Sequence, residues 1–148
     1  GPVEIIPPEH SETKRLTYRY ANGTVMYHGG ATGEAGVEFY GTEGRVAVNR
    51  GYLKTDPDDL IRETWIPDDI RLYESHDHHS NWLDCIRSRR PTICPADVGY
   101  HSITVCHLGN IAYRLKRPLS WDPQAECFVN DPLADRFLER PMRAPWVL

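Results

Sequence analysis

Hydrophobic residues recur at every second position through the first half of this chain and at every third or fourth through the second, and that change of period limits the folds open to it. Lys14 to Tyr20 alternates, Ala21-Asn22-Gly23 supplies a hairpin turn, and Thr24 to His28 runs back, which predicts an antiparallel pair. Val37 to Tyr40, the turn Gly41-Thr42-Glu43-Gly44 and Arg45 to Asn49 predict a second hairpin in the same sheet, and Val3 to Ile6 reads as an earlier strand. Residues 55–70, acidic and punctuated by proline, predict a short helical turn inside a solvated connecting loop. From His78 the period becomes helical: Trp82, Leu83, Cys85 and Ile86 share one side, Ser80, Asp84, Arg87 and Ser88 lie opposite, and Pro91 stops the helix. Asp97 as cap opens a second helix to about Lys116, with Tyr100, Thr104, Leu108, Ile111, Ala112 and Leu115 as its apolar stripe and Gly109 letting a neighbour approach closely. After Pro118 come strand signals at 119–121 and 126–129 and a helical turn at 133–138. Strands followed by helices predict an α+β fold in one domain, residues 1–148: a mainly antiparallel, open-faced sheet with helices on one face.

Composition narrows the partners. A chain of 148 residues with net charge −4 and 40% hydrophobic residues carries no basic footprint for nucleic acid or anionic membranes. No run approaches the ~18–20 apolar residues of a membrane span, and GPVEIIPP has no basic segment followed by an apolar one. Gly1-Pro2 is either native or a protease scar, and the immediate start of a strand-like run leads to the expectation that the chain is part of a longer protein. Cys85, Cys94, Cys106 and Cys127 lack a C-x-x-C pair, so free buried thiols in a reducing, cytoplasmic compartment are expected.

The stretch HDHHSNWLDC, residues 76–85, packs three histidines and a cysteine into ten positions. A zinc site needs about four ligands at ~2.0–2.3 Å, which on a helix means i, i+3 or i, i+4 spacing. Only His76 and His79 meet that spacing. His78 and Cys85 share a face but lie seven residues apart, ~10 Å along the axis at ~1.5 Å per residue. No H-E-x-x-H or C-x-x-C completes a set, so the sequence assigns no metal ligands and predicts an ordinary helix start, with His78 and His79 half buried and bonded to backbone carbonyls or Asp77. His101 falls on the second helix's apolar side and is expected in the core, while His107 sits at its edge near Asn110. No G-x-S-x-G elbow is present, and GGATGEAG at 29–36 reads as a flexible loop because it lacks the strand-to-helix context of a phosphate cradle.

The succession YRYANGTVMYHGG, EFYGTEGRVAVNRG, HHSNWLDCIRSRRP, ADVGYHSITVCHLGNIAYRLKRPLSWDP and RPMRAPWVL resembles the C-terminal domain of the Gfo/Idh/MocA oxidoreductases, the family of glucose-fructose oxidoreductase and inositol dehydrogenase. The tail Arg143-Ala144-Pro145-Trp146 is similar to that of a bacterial subgroup. The resemblance implies a parent with an N-terminal Rossmann domain holding NAD or NADP and a C-terminal α+β domain whose open sheet mediates homo-oligomerisation and helps shape a sugar or polyol site. By this resemblance the chain looks like the second part alone: G-x-G-x-x-G and the family's Glu-Lys-Pro are absent from it, so no catalytic or cofactor-binding residue is carried over. The isolated chain is expected neither to bind NAD(P) tightly nor to turn over a sugar, whereas the parent is expected to transfer hydride between nicotinamide C4 and a carbinol carbon. Candidate substrate contacts are His78, His79 and Asn81 at the first helix's N-terminus, with Arg143 and Trp146 in the tail, because sugar hydroxyls commonly meet polar and aromatic groups at element ends.

Two readings of other classes stand beside this one. A pure interaction module would dimerise face to face through strands apolar on both sides, with Val25 and Tyr27 set against Met26, and Phe39 against Val37 and Tyr40. A metal-dependent hydrolase built on the histidines would reveal itself in elemental analysis of the purified chain.

Overall fold

The computed structural model describes residues 1–29, 36–62, 73–140 and 142–145. Residues 1–29 and 96–148 form one compact unit and residues 30–95 a second. The fold is α+β, with two antiparallel sheets and three α-helices among the described residues.

The first unit is built on a five-stranded sheet ordered β3-β2-β1-β7-β8. Its strands are β1 (Glu4–Ile6), β2 (Leu16–Arg19), β3 (Val25–His28), β7 (Leu119–Asp122) and β8 (Cys127–Phe128). The β2–β3 hairpin forms where the sequence predicts it: Tyr20 N–H donates to Thr24 O (2.9 Å), Thr24 N–H to Asn22 Oδ1 (3.0 Å), and Gly23 takes φ +88°. Ile5 pairs with Tyr18 and Leu119, and Tyr18 with Met26, so these side chains share one face. That face meets α2 (Ala96–Leu115) through Leu108, Ile111 and Ala112, while Trp121 and Phe128 cross edge to face at 5.0 Å. On the other face, Ser11 Oγ lies 2.8 Å from Thr17 Oγ1 and 3.0 Å from Thr13 Oγ1, pinning the 7–15 segment to β2. Asp131 caps α3 (Pro132–Asp135) through Ala134 N–H and receives Arg117 Nη2 at 2.6 Å.

The second unit holds a separate three-stranded sheet, β4 (Val37–Tyr40), β5 (Arg45–Asn49) and β6 (Tyr52–Asp56), a 3-10 turn at Asp58–Arg62 and helix α1 (His78–Ser88). Gly44 closes the β4–β5 turn with Gly41 N–H donating to Gly44 O (2.8 Å); a Cβ there would fall on Asp56 O and lie 3.0 Å from Pro57 Cδ.

Several expectations are corrected. The second hairpin joins its own sheet, because alternation specifies which residues share a face and says nothing about which strand lies beyond an edge. Tyr52–Asp56 is a strand that the sequence reading does not anticipate and that takes the first two residues, Thr55 and Asp56, of the stretch read as acidic loop, while the helical turn predicted there is the 3-10 turn; the rest of that prediction, 63–70, and residues 30–35 of the glycine-rich loop lie outside the described residues. Asp97 sits within the first turn of α2. His101 is exposed, since only the C-terminal half of α2 meets the sheet, and Tyr100 is exposed with it. The apolar side of α1 is unburied, with Trp82 58% exposed. All four thiols are free as expected but none is fully buried: Cys94 and Cys106 are exposed, Cys85 and Cys127 intermediate. Val37 and Phe39 share one face of their sheet and Tyr40 lies on the other.

Candidate functional site at the start of helix α1

Helix α1 begins where the chain leaves an extended backbone. Asp77, at φ −138° and ψ 121°, is its N-cap, and its Oδ1 accepts from Ser80 N–H at 2.7 Å. That N–H holds the Asp77 carboxyl below its ordinary range, with the Ser80 hydroxyl, His79 and His78 adding to the effect. The cap places His78 and His79 at the first two helical positions. Both are exposed, not half buried as expected, because no element among the described residues covers the first turn; their rings stack with centroids 4.1 Å apart and planes tilted by 35°. Each neutral imidazole offers one N–H donor and one nitrogen acceptor, a pairing complementary to a hydroxyl group.

Asn81 lies one turn further and is turned inward. Its Nδ2 donates to Tyr73 Oη (2.9 Å), and its Oδ1 accepts from Ile93 N–H (3.2 Å). Tyr73 Oη in turn reaches Pro91 O at 3.4 Å, and Cys85 Sγ donates to the same carbonyl at 3.3 Å. The amide therefore ties the segment before α1 to the segment after it. This tie escaped the sequence because Tyr73, eight residues away, has no periodic relationship to Asn81.

Of the five candidate contacts, the structure brings His78 and His79 together and places Asn81 beside them. Arg143 is exposed and belongs to the unit of residues 1–29 and 96–148, and Trp146 lies outside the described residues. In the sequence Asp77 reads only as a hydrogen-bond partner for the histidines. One donor atom from each of Asp77, His78 and His79 lies within 4.8 Å of the others, the one such group found among the described residues. Its D-H-H spelling was visible, but i, i+3 and i, i+4 spacing excluded neighbours in sequence. A test confined to helical positions misses side chains gathered at a cap.

An antiparallel sheet with a helix laid on one face, and a second unit with a smaller sheet and helix, define an α+β fold. The chain belongs to the Gfo/Idh/MocA oxidoreductases: the family model described as "Oxidoreductase family, C-terminal alpha/beta domain" matches residues 7–148. No curated protein and no solved structure matches it. Among the described residues, no helix is long and apolar enough to cross a membrane.

Proposed function

We propose that this domain helps form the substrate site of an NAD(P)-dependent dehydrogenase acting on a sugar or polyol, with the exposed imidazoles of His78 and His79 as hydrogen-bonding walls. The family match over residues 7–148 carries the reading. It is supported by two adjacent imidazoles with no polar partner other than Asp77 among the described residues, held at a fixed place by a capped helix. Arg143 and Trp146 are assigned to the same role from the sequence alone. A dinucleotide needs a strand, a glycine-rich turn and a helix N-terminus, and no G-x-G-x-x-G is present, so no residue of this chain is assigned to NAD(P) and no chemical step is derived through it. Asn81, its amide engaged by Tyr73 Oη and Ile93 N–H, is assigned to hold together the segments that flank α1. In the full-length protein, replacing His78 and His79 together by alanine is expected to raise KM for a panel of polyols and aldoses by roughly tenfold with kcat nearly unchanged, the signature of lost uniform binding. An unchanged KM would overturn the assignment.

A second reading, homo-oligomerisation through an open sheet face, is favoured by one observation. Cross-strand register puts Val37, Val48 and Leu53, and Phe39 with Val46, on one side of the β4-β5-β6 sheet, where Phe39 is 58% exposed. A contiguous exposed apolar face of this kind marks an interaction surface.

A further inference from the structure

We infer that Asp77, His78 and His79 bind a divalent first-row transition-metal ion, a role for the same residues that rests on reading the start of α1 as a ligand-facing site. Three features carry it. The first is convergence: one donor atom from each side chain already lies within 4.8 Å of the other two. Ligands at ~2.1 Å in tetrahedral array stand about 3.4 Å apart, so each pair needs to close by little more than ~1 Å. Small rotations of exposed side chains achieve this without moving backbone. The second is the backbone itself. Successive helical residues diverge by about 100°, yet at the first two positions of α1 the His78 and His79 rings stack with centroids 4.1 Å apart. Asp77, still extended at the cap, brings a carboxylate oxygen within 4.8 Å of a nitrogen of each. The third is the donor set. Two imidazoles and one carboxylate suit zinc, nickel and copper, whereas magnesium and calcium demand oxygen ligands. Ser80 N–H on Asp77 Oδ1 orients the carboxylate as an outer-shell partner does in metal sites, and the carboxylate keeps lone pairs for an ion.

Electrostatics sets the strength. The helix N-terminus carries partial positive charge and opposes a cation, while the Asp77 carboxylate beside it offsets that charge. All three residues are exposed and must give up hydration to ligate. The site is therefore expected to bind in the micromolar range, with open coordination positions left for water or for a pair of vicinal hydroxyls. His76 stands apart, paired with Glu74 Oε1 at 2.8 Å.

The test is calorimetric titration of the metal-stripped chain with zinc chloride and, separately, nickel chloride. One saturable site is expected, weakened at least tenfold by His78→Ala and by His79→Ala, and unchanged by His101→Ala, which removes an exposed histidine elsewhere. Asp77→Asn keeps an N-cap side chain and is expected to weaken binding several-fold with the circular dichroism spectrum intact. With copper(II) as the probe, electron paramagnetic resonance is expected to show two coupled nitrogens in the parent chain and one in either single variant. Absence of a saturable site, or a site that survives His78→Ala/His79→Ala, overturns the inference. Failure of the sugar reading is told apart by its own readout: an unchanged KM in the double variant, which leaves the calorimetry untouched.

Discussion

Gly109 of α2 packs against Tyr18 of β2 so closely that a Cβ on the glycine would overlap the Tyr18 hydroxyl and lie 2.8 Å from Leu16 Cδ2. The helix and the sheet approach through this gap, with Leu108, Ile111 and Ala112 buried around it. Alanine improves helix propensity by about 1 kcal/mol over glycine, but overpacking a filled core costs roughly 1–3 kcal/mol, and both contacted groups here are buried. Gly109→Ala is therefore expected to lower stability in a urea melt despite the better helix former. Tyr18→Phe removes the overlapping oxygen, so the double variant is expected to recover part of the loss; strictly additive effects would show that the two positions do not press on each other.

The same tyrosine gives the fold a pH limit. Burial, aided by Cys106, Tyr113 and Tyr20, pushes the Tyr18 phenol from 10.0 to about 12. Above pH 10 the unfolded chain gains free energy by ionising a phenol that the folded state still holds neutral, so folding is progressively disfavoured. The contribution is whole below pH 10 and is lost as pH rises from 10 toward 12, amounting to roughly 2–3 kcal/mol across the window at about 1.4 kcal/mol per unit. Denaturant midpoints measured from pH 9 to 12 are expected to fall more steeply for the parent chain than for Tyr18→Phe.

Asn81 separates structure from binding. Its amide joins Tyr73 to Ile93, so Asn81→Ala is expected to cost about 1–3 kcal/mol for two lost partners, one of them a part-buried backbone N–H. Asn81→Asp keeps the acceptor for Ile93 N–H and loses the donor to Tyr73. It is expected to fall between the parent and alanine in a thermal melt. A role confined to touching substrate would leave all three melts alike.

Much of this arrangement is visible in the sequence and some is not, for reasons that attach to particular residues. Asn22-Gly23 announces its hairpin because a turn is decided by its own backbone angles. The helix at His78 and the stripe Leu108, Ile111 and Ala112 follow from period alone. Neither alternation nor turn chemistry, however, tells β4 and β5 that β6 completes a sheet of their own. His101 lies on the apolar side of α2 yet is exposed, because periodicity gives a face but not how far along the helix that face is covered. Asp77 is legible in the sequence as a bonding partner of His78 and His79 but not as a third donor gathered with them, because helical spacing does not describe a cap.

Helix α2 ends at a residue that fits its conformation poorly. Lys116 takes φ +52° just after the helix, its N–H donating to Ala112 O at 2.8 Å, while its carbonyl lies 3.0 Å from His10 Nε2. A left-handed backbone costs an L-residue about 1–2 kcal/mol, and glycine avoids it at the expense of a more flexible unfolded chain. Lys116→Gly is expected to stabilise the fold by about 0.5–1 kcal/mol, read as a higher melting temperature, and His10→Ala to lower it by removing the bond to the same carbonyl.

The exposed face of the β4-β5-β6 sheet yields the last test. Val37, Val48 and Leu53 lie across from one another in register, with Phe39 beside them opposite Val46. A partner copy laid on this face would bury Phe39 near its centre, where a charge has no ion to pair with and would cost several kcal/mol to desolvate. Phe39→Lys is thus expected to shift the chain from oligomer to monomer in light scattering at matched concentration. Because Phe39 is already exposed within one copy, the variant's own thermal stability is expected to change little. A parent chain that stays monomeric at high concentration would remove the sheet face from consideration as an interface.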